Sequence, residues 1–175
     1  MNGKLVAGVI VAAGLIAGAA MYYLQVYAYY ERVPATGEGD VRLTSLATGA
    51  PEPILYDAFQ AIDADSSPVR YRACFTTPLS QAMLSETYVI FEAPVPLTGP
   101  GWFGCYDAAE VDAALADGSA IAFLGQQNVT YGIDRVVAIL DDGRGFAWNQ
   151  INHCGEVVFE GKPAPEGCPP VPERN

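Results

Sequence analysis

Residues able to do chemistry are few in this chain, and they are scattered. Cys74, Cys105, Cys154 and Cys168 are separated by 31, 49 and 14 positions, and the single histidine, His153, stands beside one of them. An even number of cysteines beyond an apolar leader predicts two disulfides, because an oxidising compartment lets them form and persist. Three pairings are possible. Cys154–Cys168 is favoured, since the segment between carries Gly161, Pro163, Pro165 and Gly167 and has the composition of a loop; Cys74–Cys105 follows by elimination. Closing a loop of about 15 residues is worth roughly 3 kcal/mol on a chain-entropy model. A metal centre needs denser ligands: there is no C-x-x-C, and His153 and Cys154 would point to opposite faces of a strand. No metal or other cofactor is expected, although copper handling or thiol-redox work through His153, Cys154 and Cys168 is the alternative role.

Catalytic settings are equally thin. A serine or cysteine nucleophile would have to work through His153, and no G-x-S-x-G is present. Gly99-Pro100-Gly101-Trp102-Phe103-Gly104 matches G-x-G-x-x-G, but Pro94, Pro96 and Pro100 exclude a central strand before it. No acid stands near the ribose position about 20 residues later, where Ser119 to Phe123 lie. Asp141-Asp142 and Asp63-Ala64-Asp65 are acid pairs in turns without the ligand spacing of a calcium loop. Nothing indicates the carboxylate pair of a glycosidase. Asn128-Val129-Thr130 fits a glycosylation sequon. The expectation is a protein that is not an enzyme.

Charge narrows the partners. Nine Lys and Arg against 20 Asp and Glu give a net −11, which leaves no basic surface for nucleic acid. Arg70 and Arg72 stand out against that background, on the opposite strand face from Val69, Tyr71, Ala73 and Phe75. They could form buried ion pairs, the favoured reading, or bind an anionic group at an interface. Together with Trp102 and Phe103 they are the candidate partner contacts, with core packing the commoner fate of the two aromatics.

These groups need a frame, and it begins at the amino terminus. From Leu5 to Tyr30 run 26 consecutive uncharged residues, long enough to cross a hydrocarbon core of about 30 Å. Tyr22, Tyr23, Tyr27, Tyr29 and Tyr30 crowd one end, as expected where a span meets the membrane–water boundary. Gly14 and Gly18 form a G-x-x-x-G pattern through which helices can pack closely. Lys4 is the one charged side chain before the run and every acid lies after it, so the positive-inside rule predicts a cytoplasmic N-terminus and an exported domain. A cleaved signal peptide is the competing reading, with Ala17-Gly18-Ala19 or Val26-Tyr27-Ala28 as the cleavage site.

The expected organisation is an anchor at 1–32, a linker leading into the domain at 33–50, an exported domain at 51–161, and a Pro-rich tail at 162–175 tied by Cys168. Helical spacing of Ile54, Leu55, Ala58, Phe59, Ala61 and Ile62 predicts a helix over 51–65. Strands are expected at 69–75, 87–92 and 120–124, with a short helix at 77–84 and a helix at 107–117 begun by Asp107. A hairpin at 132–152 is expected to turn on Asp141 to Gly145, with a last strand at 157–159. The fold class is α+β: one transmembrane helix, then a small disulfide-stabilised domain with a mostly antiparallel sheet and two or three helices.

The order of pieces resembles a family of single-span, periplasm-facing membrane proteins of alphaproteobacteria whose role is not established. The resemblance rests on Met1-Asn2-Gly3-Lys4 with the Tyr-rich span, on 67–75 (Ser-Pro-Val-Arg-Tyr-Arg-Ala-Cys-Phe), on 100–105, on 131–137, and on Cys154-Gly155-Glu156-Val157-Val158-Phe159. It implies an anchored, exported domain and carries over no catalytic residue. The expected role is a non-enzymatic accessory or assembly subunit of a bacterial inner-membrane complex, with a respiratory oxidase or cytochrome complex as host. Its partners would then be the lipid bilayer and that integral membrane complex.

Overall fold

The computed structural model describes residues 2–37 and 39–172. Met1, at the head of the expected anchor, Glu38 in the expected linker, and 173–175 at the end of the expected tail lie outside the described residues.

The apolar run is helical from Leu5 to Ala28, and only its last two residues, Tyr29 and Tyr30, are not. Helix α1 (Gly3–Tyr23) continues into one π-helical turn, Leu24–Ala28, and the 26 residues together span about 39 Å at 1.5 Å per residue. Not one residue of α1 is buried. The helix is therefore long and apolar enough to cross a membrane, and it has no packing inside the chain that would explain its composition otherwise.

Directly after the helix the chain joins a sheet. Strand β1 (Glu31–Val33) pairs antiparallel with β4 (Asp57–Asp63), so the first residue of the expected linker, Val33, is already part of the sheet. Strands β2 (Arg42–Thr44) and β3 (Pro51–Pro53) form a separate two-stranded ribbon. The main sheet adds β5 (Arg72–Thr76), β6 (Ala120–Thr130), β7 (Ile133–Leu140) and β8 (Arg144–Ile151), in the order β1-β4-β5-β8-β7-β6, all antiparallel. Helices α2 (Gln81–Thr87), α3 (Ala108–Asp117) and α4 (His153–Phe159) lie outside it. The α+β class holds, with α1 and three helices in the domain.

Alternation of side chains across the pleat makes two cores. One face buries Ile62, Cys74, Val136, Phe146 and Trp148 under α3 and the loop that carries Phe103 and Tyr106. The other buries Ala61, Ala73, Phe75, Phe123, Val137 and Ala147 under β2 and α2, through Leu43 and Leu84. The face of β5 that bears Arg72 and Cys74 is therefore buried rather than wet.

Three local expectations need correction. Residues 51–65 are not helical: they form β3 and β4, and a β-bulge between Asp57 and Gln60 puts Ala58 at φ 51°. That extra residue breaks the two-residue alternation and leaves apolar side chains at a spacing that imitates a helix. Residues 157–159 are helical, not a strand, because Asn152 caps α4 with its side chain accepting from the Gly155 N–H. Residues 87–92 make only isolated bridges, Ser45 to Tyr88 and Ile90 to Phe123. The hairpin, the helix started by Asp107, and the expected pairings Cys74–Cys105 and Cys154–Cys168 are all present.

Candidate functional site

The candidate site is an aromatic and cationic collar where the apolar helix meets the domain. It is built from a loop, a buried arginine and the last turns of the helix.

Residues 97–106 cannot enter the sheet as a strand, because Pro100 removes a donor and three glycines loosen the backbone. The loop instead folds on itself: Phe103 N–H donates to the Pro100 carbonyl at 2.9 Å, and Tyr106 N–H to the Phe103 carbonyl at 3.2 Å. The Cys74–Cys105 disulfide fastens it to β5. Phe103 and Tyr106 bury into the core, and Trp102 is left at the edge, half-buried.

Arg72 is the second fastening. It is only 4% exposed, and its guanidinium donates to four carbonyls: Leu97 at 2.7 Å, Thr98 at 3.1 Å, Val69 at 2.8 Å and Tyr71 at 2.6 Å. Among the described residues no carboxylate pairs with it, against the expected buried ion pair; main-chain oxygens take that place. Burial draws its pKa downward, while the nearby Tyr106, Tyr30 and Asp63 act against that. Arginine remains a cation under such conditions, and its planar fork suits several carbonyls at once. Tyr106, whose ring lies 5.7 Å from the guanidinium carbon, has its phenol pKa raised by burial.

Trp102 reaches the helix. Its indole N–H donates to the Val26 carbonyl at 2.6 Å, its ring stacks on Tyr27 with centroids 6.3 Å apart, and Tyr30 meets it edge-on at 6.0 Å. Tyr23 in turn stacks on Tyr27, and Tyr22 meets Tyr27 edge-on. Helix ends leave carbonyls without intrahelical partners, and Trp102 satisfies one of them at the π turn. The expected interface tyrosines Tyr22, Tyr23, Tyr27 and Tyr30 thus form one aromatic cluster with a residue from the middle of the domain.

Arg70 caps the cluster from the other side. Its guanidinium carbon lies 5.5 Å from the Tyr30 ring centroid, and its Nη1 is buried without a hydrogen-bond partner. Gly14 and Gly18, the expected packing positions, have nothing within 4 Å of where a Cβ would stand.

The remaining candidates lie elsewhere. His153 is exposed at the first turn of α4, and Cys154 and Cys168 are joined to each other. Among the described residues, no group of three or more His, Cys, Asp or Glu could hold a metal ion. Asn128 sits at φ 49° in β6, where its side chain accepts from Gly132 N–H and from Asn152, so the sequon asparagine is part of a turn. Sequence reasoning missed Val26, Leu97 and Thr98, which take part through backbone carbonyls, and Tyr106, whose neighbour Cys105 was the only signal.

No curated protein and no solved structure matches the chain. The sequence pattern of one family does, over residues 41–169, which include the whole sheet except β1, the collar loop and both disulfides. The chain therefore belongs to DUF6446, a family of unknown function.

Proposed function

We propose that this protein is a non-enzymatic accessory or assembly subunit of a bacterial inner-membrane complex. In this reading the apolar helix stays in the bilayer with a cytoplasmic N-terminus, and the two-disulfide domain lies in the periplasm. The helix docks sideways against an integral membrane partner while the domain covers that partner's periplasmic face. A respiratory oxidase or cytochrome complex is the proposed host, on membrane geometry and the bacterial class that the resemblance implies.

One observation carries the reading: a helix with no buried residue is joined to its domain by a specific hydrogen bond and a stacked aromatic cluster. A leader destined for cleavage needs no such attachment. A retained span does, because the attachment sets the direction in which the domain is held above the lipid. Gly14 and Gly18, open on the helix surface, supply the close-approach face for a neighbouring helix.

The test is extraction in a gentle detergent followed by identification of co-migrating subunits. The proposal expects a stable larger assembly that contains this chain. Migration as a lone monomer at every detergent strength overturns it.

A further inference from the structure

The collar contains a feature that anchoring alone does not require. Among the described residues every other arginine has a hydrogen-bonding partner within the chain. Arg42 binds the Gly39 carbonyl, Arg72 its four carbonyls, Arg135 the Asn149 side chain, and Arg144 the carboxylates of Glu110 and Asp142. The side chains of Arg32 and Arg70 make no hydrogen bond and no ion pair among the described residues. In a chain of net charge −11, with 20 acids to choose from, two unpaired guanidinium groups are unexpected.

Both are tied to Tyr30, Arg32 by sequence and strand face and Arg70 by contact. Arg32 follows Tyr30 by two residues, and Arg70 lies over the Tyr30 ring. Arg32 and Arg72 flank Ile62 across adjacent strands, so Arg32 leaves the sheet on the collar side while Glu31 leaves on the other. Tyr30 closes the uncharged run and is in contact with Trp102, which binds the helix two residues before its end. If Gly3–Ala28 crosses the bilayer, these guanidinium groups stand at the depth of the headgroups. Arginine's planar fork matches phosphate oxygens, and interfacial tyrosine and tryptophan rings fit the same depth.

We propose that Arg32 and Arg70 bind the phosphate of a phospholipid headgroup, with Tyr30 and Trp102 packed against the adjoining glycerol and upper acyl region. The site rests on the reading of a membrane-retained span. It gives the domain a second hold on the bilayer, which fixes its tilt as the helix alone cannot.

The test uses the full chain in mild detergent, with bound lipid counted by native mass spectrometry. Dioleoyl phosphatidylglycerol, the diacylglycerol with the same chains, and inorganic phosphate are the three probes. The wild-type chain is expected to retain one phosphatidylglycerol, to retain no diacylglycerol, and to keep its lipid in millimolar phosphate. R32Q/R70Q should lower retention about tenfold or more, R70K should keep only part of it because an ammonium lacks the planar fork, and R144Q should match wild type. Equal retention of diacylglycerol, loss of the lipid to free phosphate, or wild-type retention by R32Q/R70Q each overturns the site. The comparison of probes on the wild-type chain stands even if a variant fails to fold. A chain that holds the lipid but extracts as a lone monomer keeps this site and overturns the subunit proposal; the reverse result does the opposite.

Discussion

The indole nitrogen of Trp102 lies 2.6 Å from the carbonyl oxygen of Val26, a residue 76 positions earlier in the chain. Trp102 belongs to a loop held by the Cys74–Cys105 disulfide and by Arg72, whereas Val26 belongs to a helix with no buried residue in its α-helical part. A rigid loop on one side and an otherwise unsupported helix on the other make this contact the joint between the two parts. Its removal should have effects that differ from ordinary loss of core.

Trp102→Phe keeps a ring against Tyr27 and Tyr30 but deletes the donor to Val26. A loss of about 1 kcal/mol is expected, and Trp102→Ala should lose about 2–3 kcal/mol because stacking goes as well. Limited proteolysis of the full chain between residues 28 and 42 checks this: cleavage should accelerate in the order wild type, W102F, W102A.

The two disulfides should be separable in effect. Removing Cys74–Cys105, which closes a span of 31 residues, should cost about 4 kcal/mol on the chain-entropy model, and Cys154–Cys168, with a span of 14, about 3 kcal/mol. Only the first holds the Trp102 loop. Chemical unfolding of C74S/C105S and C154S/C168S should show both losses, while the fast proteolysis expected of W102A should appear in C74S/C105S alone.

Arg72→Met should be severe, about 3–5 kcal/mol, because four carbonyls lose their donor inside the core. Arg72→Lys should recover only part, since an ammonium cannot reach both Leu97–Thr98 and Val69–Tyr71 with one planar fork. Thermal unfolding of the two variants beside wild type measures the difference.

Asp63 should give an unusual pH dependence. Burial raises its pKa above the ordinary 3.8, ahead of the lowering by the Ala64 N–H and the Arg135 charge. The folded state then binds the proton more tightly than the unfolded state. That contribution to stability is fully present below 3.8 and fades as pH rises through the folded value, the reverse of a salt-bridged carboxylate. Asp63→Asn should therefore be more stable than wild type at pH 7, with the gap closing as pH falls towards 4. Denaturant midpoints across pH 4 to 7 read this directly.

Much of the domain was legible because its signals are local. Asp107 caps α3, Gly118 ends it at φ 82°, and an Asp-rich turn joins two strands that are buried almost throughout. Strand β4 was hidden by its own bulge at Ala58, which converts a period of two into something near 3.6. Helix α4 was hidden because Val157, Val158 and Phe159 favour strands, and the cap that overrides them is one asparagine. The aromatic half of the collar showed in the tyrosine cluster. Its other half did not, since Val26, Leu97 and Thr98 act through carbonyl oxygens that every residue owns.

The central claim, a retained helix joined to a cystine-bearing domain, is most directly tested by intact mass of the protein extracted from membranes under alkylating, non-reducing conditions. The account predicts a chain that still carries the Leu5–Tyr30 run, with no alkyl group added before reduction and four after it. A mass that begins after Ala19 or Ala28, or alkylation of any cysteine before reduction, would contradict it.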